Sequence, residues 1–109
     1  MNGSMMALGL AKKAGKVISG ADMVVDAIRS KRPPSLVILS SGASENTKKK
    51  LRDKCTSYNV RIVETDSDTE CMSHALGGMA RVAVAAICDD GLAELFLSRA
   101  FKESKRNEE

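Results

Sequence analysis

The sequence predicts an α/β fold in three layers, with helices on both faces of a mixed or parallel sheet. Segments with apolar residues at helical spacing alternate along the chain with short apolar runs. Two of these runs, residues 36–39 (LVIL) and 81–87 (RVAVAAI), are too apolar for strands that face water. Such strands need a helical layer on each side of the sheet, which gives the three layers.

The first two helices are separated by a loop that contains glycine. The first helix is predicted over residues 4–14, where Ser4 is placed to cap the N-terminus and Gly15 to end the last turn. The second is predicted over residues 20–31, and the two prolines that follow at 33 and 34 end it. Its apolar residues recur at i, i+3, i+4 and i+7, namely Ala21, Val24, Val25 and Ile28.

The middle of the chain predicts a buried central strand followed by a long helix. Residues 36–39 are branched and aliphatic, as in strands that are buried on both faces. Ser44 then caps a third helix that extends to about residue 57. Its side chains are predicted to form an inward face of Leu51, Cys55 and Tyr58 and an outward face of Lys48, Lys49, Lys50, Arg52 and Lys54.

The last part of the chain predicts two further strands and two helices. Residues 61–64 form a short strand, and Ser67 with Glu70 forms a capping box for a helix that ends at two glycines. Residues 81–87 form the third main strand, and Asp89 or Asp90 caps the final helix. We therefore expect one domain over residues 1–102 and a charged, frayed tail over residues 103–109.

Positive charge is concentrated in the first part of the chain. The net charge is +3, but residues 1–61 hold 12 Lys or Arg against 4 Asp or Glu, whereas residues 62–109 hold 5 against 10. This asymmetry predicts one basic face, which either meets nucleic acid or is simply solvated. Only Tyr58, Phe96 and Phe101 are aromatic, so any nucleic acid would be recognised by its shape and backbone rather than by base stacking.

Cysteine usage and hydropathy indicate a reduced, cytoplasmic protein. The three cysteines are odd in number and form no C-x-x-C pair, which argues against a disulfide framework. The longest apolar run, residues 82–88, is too short to cross a bilayer, and the N-terminus has no basic region ahead of an apolar stretch. We expect a cytoplasmic location and no membrane partner.

No motif supports a catalytic site. Residues 9–16 (GLAKKAGK) resemble a nucleotide phosphate loop, but the glycine spacing is one residue too long and Val17 stands where Ser or Thr is required. His74 is the only histidine and has no partners at metal-ligand spacing. The acidic cluster in residues 66–70 falls at a predicted helix start, where the helix dipole alone favours it. We expect no enzyme activity, no metal and no cofactor.

The loop before the second helix is the first remaining candidate site. Ser19 and Gly20 precede the unpaired backbone N–H groups of the helix start, which can bind an anion or phosphate. Lys12, Lys13 and Lys16 can supply positive charge beside it. A purely structural role, with Gly20 in a tight turn and Ser19 as a cap, explains the same residues and stays open.

A second glycine loop weakens that structural explanation. Gly77 and Gly78 precede Arg81 at the entrance of a predicted strand. If the sheet brings the two glycine loops to one edge, they form a joint cleft with flexible backbone and a cation. Periodicity alone cannot show that adjacency.

Three motifs resemble the bacterial YlxQ-like branch of the kink-turn RNA-binding ribosomal protein superfamily, the L-seven-Ae and L-thirty-e group. They are LGLAKKAGKVISG (8–20), LVILSSGASENTKKK (36–50) and ALGGMARVAVAAI (75–87), and the similarity extends from about residue 5 to 97. The resemblance implies an α-β-α sandwich with a mixed four-stranded sheet and binding of a sharply bent RNA. The start of the second helix, here residues 20–26, would enter the bend, and residues 77–81 would cover a flipped base.

The chain departs from this family where strong kink-turn binders read G-T-N-E-x-T-K. The corresponding run here is GADMVVD, in which Asp22 replaces the Asn, Met23 the Glu and Asp26 the Lys. An amide that donates and accepts becomes an acceptor-only carboxylate, and a cation becomes an anion. The resemblance therefore implies RNA binding with weak or altered kink-turn affinity.

The sequence thus predicts a non-catalytic, ribosomal-protein-like monomer that recognises structured RNA by shape and phosphate contacts, with ribosomal RNA and the ribosome as candidate partners. Lys48, Lys49 and Lys50 either extend the footprint or form a solvated helix face. The alternative is a protein interaction module on the same fold, with Met23 and Met79 as its apolar contact patch. The predicted RNA-binding residues are Lys12, Lys13, Lys16, Ser19, Gly20, Ala21, Asp22, Met23, Gly77, Gly78, Met79, Ala80 and Arg81.

Overall fold

The computed structural model describes residues 2–78 and 81–107, and for residues 104–107 only the backbone. It confirms the α/β class and the three-layer α-β-α arrangement with a mixed four-stranded sheet. In chain order the elements are α1 (Gly3–Lys13), β1 (Val17–Ser19), α2 (Ala21–Ile28), β2 (Leu36–Leu39), α3 (Glu45–Tyr58), β3 (Ile62–Glu64), α4 (Thr69–Ala75), β4 (Val84–Ile87) and α5 (Asp90–Asn107).

The sheet has the strand order β1-β4-β2-β3. β4 is antiparallel to both β1 and β2, while β2 and β3 are parallel. The two central strands are buried along their whole length, as the apolar runs predict. β1 consists of only three residues within the loop between the first two helices, and it pairs Val17 with Ile87 and Ser19 with Ala85.

The strand directions define two opposite ends of the sheet, each formed by the loops that enter or leave the strands, and we call these ends its upper and lower edges. β1, β2 and β3 end at one edge, where β4 begins, and we call residues 20–23, 40–45, 65–70, 77–78 and 81–83 the upper edge. The opposite, lower edge consists of residues 12–16, 29–35, 58–61 and 88–90. Backbone hydrogen bonds join adjacent strands at both edges: Ser40 N donates to Ala83 O at 2.8 Å on the upper edge, and Ser35 N to Ile87 O at 2.8 Å on the lower edge.

Each face of the sheet carries its own apolar core. α1, α4 and α5 cover one face, where Leu8, Met72 and Phe96 pack on alternate residues of β2 and β4. α2 and α3 cover the other face, where Val24 and Leu51 pack on the remaining residues of the same strands. A continuous apolar strand is therefore buried on both sides, which is the arrangement that the sequence pattern predicts.

Two predicted helix caps are wrong by one or two residues. Asn2, not Ser4, caps α1, since its side chain accepts from Met5 N at 2.9 Å. Asp68, not Ser67, caps α4, and it accepts from Cys71 N at 2.8 Å. Both serines are buried instead, and each has a partner far away in sequence. The caps at Ser44 and Asp89 are confirmed, the latter by a bond from Leu92 N at 2.8 Å.

The predicted division of α3 is wrong at two side chains. Lys48 was expected to point outward, but only 8% of the residue is exposed, and its ammonium lies 3.2 Å from Glu64 Oε2. Tyr58 was expected to point inward, but it is 47% exposed. Asn59 adopts a left-handed conformation that ends the helix and turns Val60 into the core beside β3, so Val60 takes the inward place.

The final helix extends through most of the segment that was expected to fray. α5 continues to Asn107. Glu103 accepts hydrogen bonds at 2.8 Å from both the backbone N–H and the hydroxyl of Ser4, which attaches this part of α5 to the start of α1. Residues 108 and 109 lie outside the described residues. Within the described chain, no helix combines the length and hydropathy that a membrane span requires.

Candidate nucleic-acid interface

Gly20 is the N-cap residue of α2, and it leaves the start of this helix without a side-chain cap. This residue has φ 93° and ψ 140°, a conformation available essentially only to glycine, and it forms no side-chain cap. Its N–H donates to Val84 O at 2.9 Å, which fixes the start of α2 against the start of β4. The first N–H groups of a helix have no acceptor within the helix, so the first turn of α2 can receive an acceptor from outside.

The loop between α4 and β4 is the second component of the upper edge. Gly77 and Gly78 have positive φ values of 106° and 74°. Ser73 ties this loop to α4, because Gly78 N donates to its carbonyl at 2.6 Å and Val82 N donates to its hydroxyl oxygen at 2.7 Å. The sequence gives no signal for this role of Ser73, since its bond to Val82 spans a loop of unpredictable shape.

The first glycine loop contacts the strand that the second glycine loop enters. The bond between Gly20 and Val84 and the antiparallel pairing of β1 with β4 place the start of α2 next to the end of the second loop. Ser19, Gly20, Ala21, Asp22 and Met23 lie at the end of β1 and the start of α2, while Gly77, Gly78 and Arg81 lie in the connection that leads from α4 to β4. Met79 and Ala80 lie outside the described residues.

A lysine from α3 reaches the start of α2. Lys50 Nζ lies 3.4 Å from Asp22 Oδ1, and the two side chains are 50% and 95% exposed. The helical pattern predicts an outward-facing Lys50 but not this contact, because it joins residues that are 28 positions apart. A cation therefore lies beside the carboxylate that replaces the family's asparagine, while Met23 beside it is 62% exposed.

The upper edge carries several acidic residues. Arg81 is an exposed cation of the second loop, and its charge acts on Asp68. The pKa of Asp68 is lowered chiefly by the hydrogen bond from the Cys71 backbone N–H, with a smaller contribution from Arg81. Glu45, Asp66 and Glu70 are also exposed there. The upper edge thus combines the uncapped N-terminus of α2 with two nearby cations, Lys50 and Arg81, but it has no excess of positive charge.

The three predicted lysines near the first loop do not lie beside the start of α2. Lys12 and Lys13 occupy the last turn of α1, and the carbonyl of Lys16 accepts from Cys88 N at 2.8 Å. All three therefore belong to the lower edge. β1 separates Lys16 from Gly20 by four residues, or about 13 Å along an extended strand. The sequence spacing predicts that these lysines lie close to the start of α2, but the structure places them at the opposite edge of the sheet, because β1 extends between Lys16 and Gly20.

An open groove of about 320 Å³ lies beside α4 and is lined by Asn2, Met5, Ser67, Asp68, Glu70, Cys71 and His74. The hydrogen bond to Asp68 raises the pKa of Cys71, which disfavours the thiolate form of this residue. Burial raises the pKa of Cys55 to about 11 and also raises that of Cys88. Among the described residues, no group of three or more His, Cys, Asp or Glu side chains is placed to hold a metal ion.

Comparison with known proteins matches residues 4–97 to the Ribosomal protein L7Ae/L30e/S12e/Gadd45 family. The chain belongs to this family. "RNA-binding protein YlxQ" of Bacillus subtilis (strain 168) is 43% identical over 91 residues, which cover 84% of this chain and 88% of the relative. A protein of the same name from Enterococcus faecium is 36% identical over 91 residues, with 84% of each chain covered. The resemblance that the three motifs carry is confirmed.

Solved structures confirm the fold. A protein described as having unknown function, from Bacillus halodurans C, superimposes with a TM-score of 0.84 at 31% identity, covering 92% of this chain and 98% of the other. The Giardia lamblia 15.5kD RNA binding protein superimposes with a TM-score of 0.72 over 90% of this chain and 82% of its own. At 16% identity, the second likeness concerns the fold alone.

Proposed function

We propose that this chain is a non-catalytic RNA-binding protein that contacts structured RNA of the kink-turn type through its upper edge. The observation that carries the proposal is the hydrogen bond of Gly20 to Val84, which holds the uncapped start of α2 beside the point where the chain enters β4. Relatives that are 43% and 36% identical are named RNA-binding proteins, which supports the same ligand. The mechanism is recognition of RNA shape and phosphate.

Each part of the upper edge has a defined task in this proposal. The first-turn N–H groups of α2 donate to phosphate or base-edge oxygens, because no intrahelical acceptor satisfies them. Gly77 and Gly78 allow the RNA backbone to approach closely, since neither has a side chain and a Cβ at either position would meet nothing within 4 Å. Arg81 and Lys50 neutralise phosphate charge.

The side chains at the start of α2 make discrimination between RNA shapes weak. Asp22 cannot donate a hydrogen bond, and its charge repels phosphate. Lys50 offsets part of that charge at 3.4 Å, but an RNA phosphate must compete with Asp22 for the same ammonium. Met23 and Asp26 supply neither the carboxylate nor the cation that the strong binders of the family use there.

An Asp22→Asn variant tests this site. Restoring the amide and releasing Lys50 should raise the affinity for a kink-turn RNA more than the affinity for a straight duplex of the same length. Asp53→Asn is the matched control, because Asp53 is an exposed aspartate that also pairs with a lysine, Lys49, at 3.2 Å on α3. Both variants and the unchanged chain would be titrated at several salt concentrations. Equal effects of the two substitutions on both RNAs would contradict the proposed site.

A protein interaction module is the second candidate function. It is favoured by Met23, a large apolar side chain that is 62% exposed at the upper edge. Absence of binding to either RNA even at low salt would support this alternative. Our proposal further includes a monomer that acts in the cytoplasm, with ribosomal RNA or the ribosome as its target, and crosslinking in cells followed by identification of the bound RNAs and proteins would test that part.

A further inference from the structure

The topology gathers exposed cations at the edge of the sheet that lies opposite the proposed site. The end of α1 and the start of β1 reach this lower edge, and so does the connection between α2 and β2. Together these segments carry six exposed cations: Lys12, Lys13, Lys16, Arg29, Lys31 and Arg32. They are far apart along the chain, so only the fold makes them one surface.

These cations are not neutralised by the protein. In the part of the chain that the structure describes, none of the six lies within 4.0 Å of a carboxylate. Of the neighbouring acidic groups, only Glu94 is paired with a cation, whereas Asp89 and Asp90 follow β4, which lies between β1 and β2, accept from neutral donors and keep their negative charges. Asp89 caps α5, Asp90 accepts from the Ser35 hydroxyl at 2.5 Å, and Glu94 pairs with Arg61 at 2.7 Å. The lower edge therefore has a clear excess of positive charge.

Unpaired backbone N–H groups and the six exposed cations lie at opposite edges of the sheet, whereas a single RNA site would combine them. The upper edge has open backbone amides but also exposed acidic side chains, including Asp22, Asp66 and Glu70. The lower edge has free cations. Phosphate attraction accounts for most of the sequence-independent affinity of nucleic-acid-binding proteins and depends on the number of cations that meet phosphates. Because it holds more unpaired cations among the described residues, the lower edge should attract RNA phosphates more strongly than the upper edge does.

An aromatic side chain accompanies the cations. Tyr58 ends α3 at the lower edge and is 47% exposed, although the sequence pattern predicted it to be buried. An exposed aromatic ring at the same edge of the sheet, where β3 begins, can stack on an unpaired base of an RNA bound there. It is the only tyrosine of the chain, which otherwise has two phenylalanines and no tryptophan.

We propose that the lower edge is a second RNA-binding surface, which holds the phosphate backbone of RNA outside the segment that the upper edge recognises. The ligand class is RNA rather than an anionic membrane. A peripheral membrane site usually places cations along one amphipathic helix whose apolar face enters the lipid. Here the cations come from separate segments, and the connection around Lys31 and Arg32 (SKRPP) carries no large apolar side chain except its prolines.

A charge-matched pair of triple variants tests the proposal. The first replaces Lys12, Lys16 and Lys31 with Gln on the lower edge. The control replaces Lys54, Lys102 and Lys105 with Gln, which removes the same charge from positions on α3 and α5 outside the lower edge. Circular dichroism verifies that both fold. Each is titrated with a kink-turn RNA and a straight duplex over a series of salt concentrations, and with vesicles that contain phosphatidylserine.

The lower-edge variant should bind both RNAs at least about tenfold more weakly than the unchanged chain at low salt, and the slope of log affinity against log salt should fall by about 2 to 3. The ratio of kink-turn to duplex affinity should stay the same, since it reports on the upper edge. A Tyr58→Ala variant should weaken binding to an RNA with a single-stranded overhang and leave duplex binding unchanged. The control triple should change the slope by less than about 1.

Several results would overturn this proposal. They are equal losses in the two triple variants, failure of the intact chain to bind either RNA, and lysine-dependent binding to vesicles without binding to RNA. The inference uses RNA as the ligand of the proposed function but does not need kink-turn recognition. If the intact chain binds both RNAs equally and the lower-edge variant still loses affinity, the proposed upper site fails and the second surface stands.

Discussion

Replacing Gly20 with alanine should destabilise the fold through the backbone alone. Gly20 has φ 93° and ψ 140°, a region that residues with a Cβ adopt at a cost of about 1–3 kcal/mol. A Cβ at this position would meet nothing within 4 Å, so no clash adds to this cost. We therefore expect Gly20→Ala to lower the free energy of unfolding by about 1–3 kcal/mol.

The matched control is Gly3→Ala in the first turn of α1. Gly3 is helical, and its added Cβ would meet Arg99 Cδ and Glu103 Oε1, each at 3.4 Å and each toward the end of a flexible side chain. Alanine favours a helix over glycine by at most about 1 kcal/mol, so this variant should be as stable as the unchanged chain or slightly more stable. Urea unfolding followed by circular dichroism measures both. A Gly20→Ala variant as stable as Gly3→Ala would refute the argument that this backbone conformation requires glycine.

Three further predictions concern side chains whose surroundings the structure defines. Leu51→Ala should lower the free energy of unfolding by about 2–5 kcal/mol, whereas Tyr58→Ala should change it by less than about 0.5 kcal/mol, and equal losses in thermal unfolding would contradict this placement. Lys48→Ala should destabilise more than Lys49→Ala in urea unfolding, because only the first of these ammonium groups is buried beside a carboxylate. Asp68→Ala should lose a cap at neutral pH. Because the pKa of Asp68 is lowered in the folded state, its stabilising contribution is present above its ordinary value of 3.8 and is lost as the pH falls through the folded value. Unfolding curves of this variant and the unchanged chain should therefore converge in acid, and a constant difference down to pH 2 would contradict the assignment.

The parts of the fold that sequence predicts well are those with a strong local pattern. Residues 36–39 are apolar throughout, and they form the buried strand β2. Val24, Val25 and Ile28 recur at helical spacing, and they form the buried face of α2. Ser44 caps α3 as expected, since a cap acts on residues close by in sequence. β1 was missed because three residues are too few to show a period.

The errors arise where distant contacts outweigh local preference. Ser4 looks like a helix cap, yet it is buried against Glu103, a partner 99 positions away. Lys48 follows the pattern of a solvated lysine, but Glu64 on β3 holds it inside. Lys16 is four residues from Gly20 in sequence and lies at the opposite edge of the sheet, because β1 extends between them. Such placements depend on the assembled sheet and cannot be obtained from spacing.

The candidate site was predictable only in part, because it too depends on contacts between residues that are far apart in sequence. The glycines of both loops stand out in the sequence, whereas the contact of Gly20 with Val84 at the start of β4 depends on the pairing of β1 with β4. Lys50 reaches Asp22 only because α2 and α3 pack side by side on one face of the sheet. The sequence therefore indicates the backbone of the upper edge, and the structure adds the lysine that modifies its charge.

The most direct test of the proposed interface is to follow the backbone amide signals of the labelled chain by nuclear magnetic resonance while a short kink-turn RNA is added. If the upper edge binds this RNA, the largest shifts should come from Ala21, Asp22 and Met23 at the start of α2 and from Gly77 and Gly78. A straight duplex should shift these amides less. Shifts confined to other parts of the chain, with the α2 start unchanged at saturating RNA, would contradict the account.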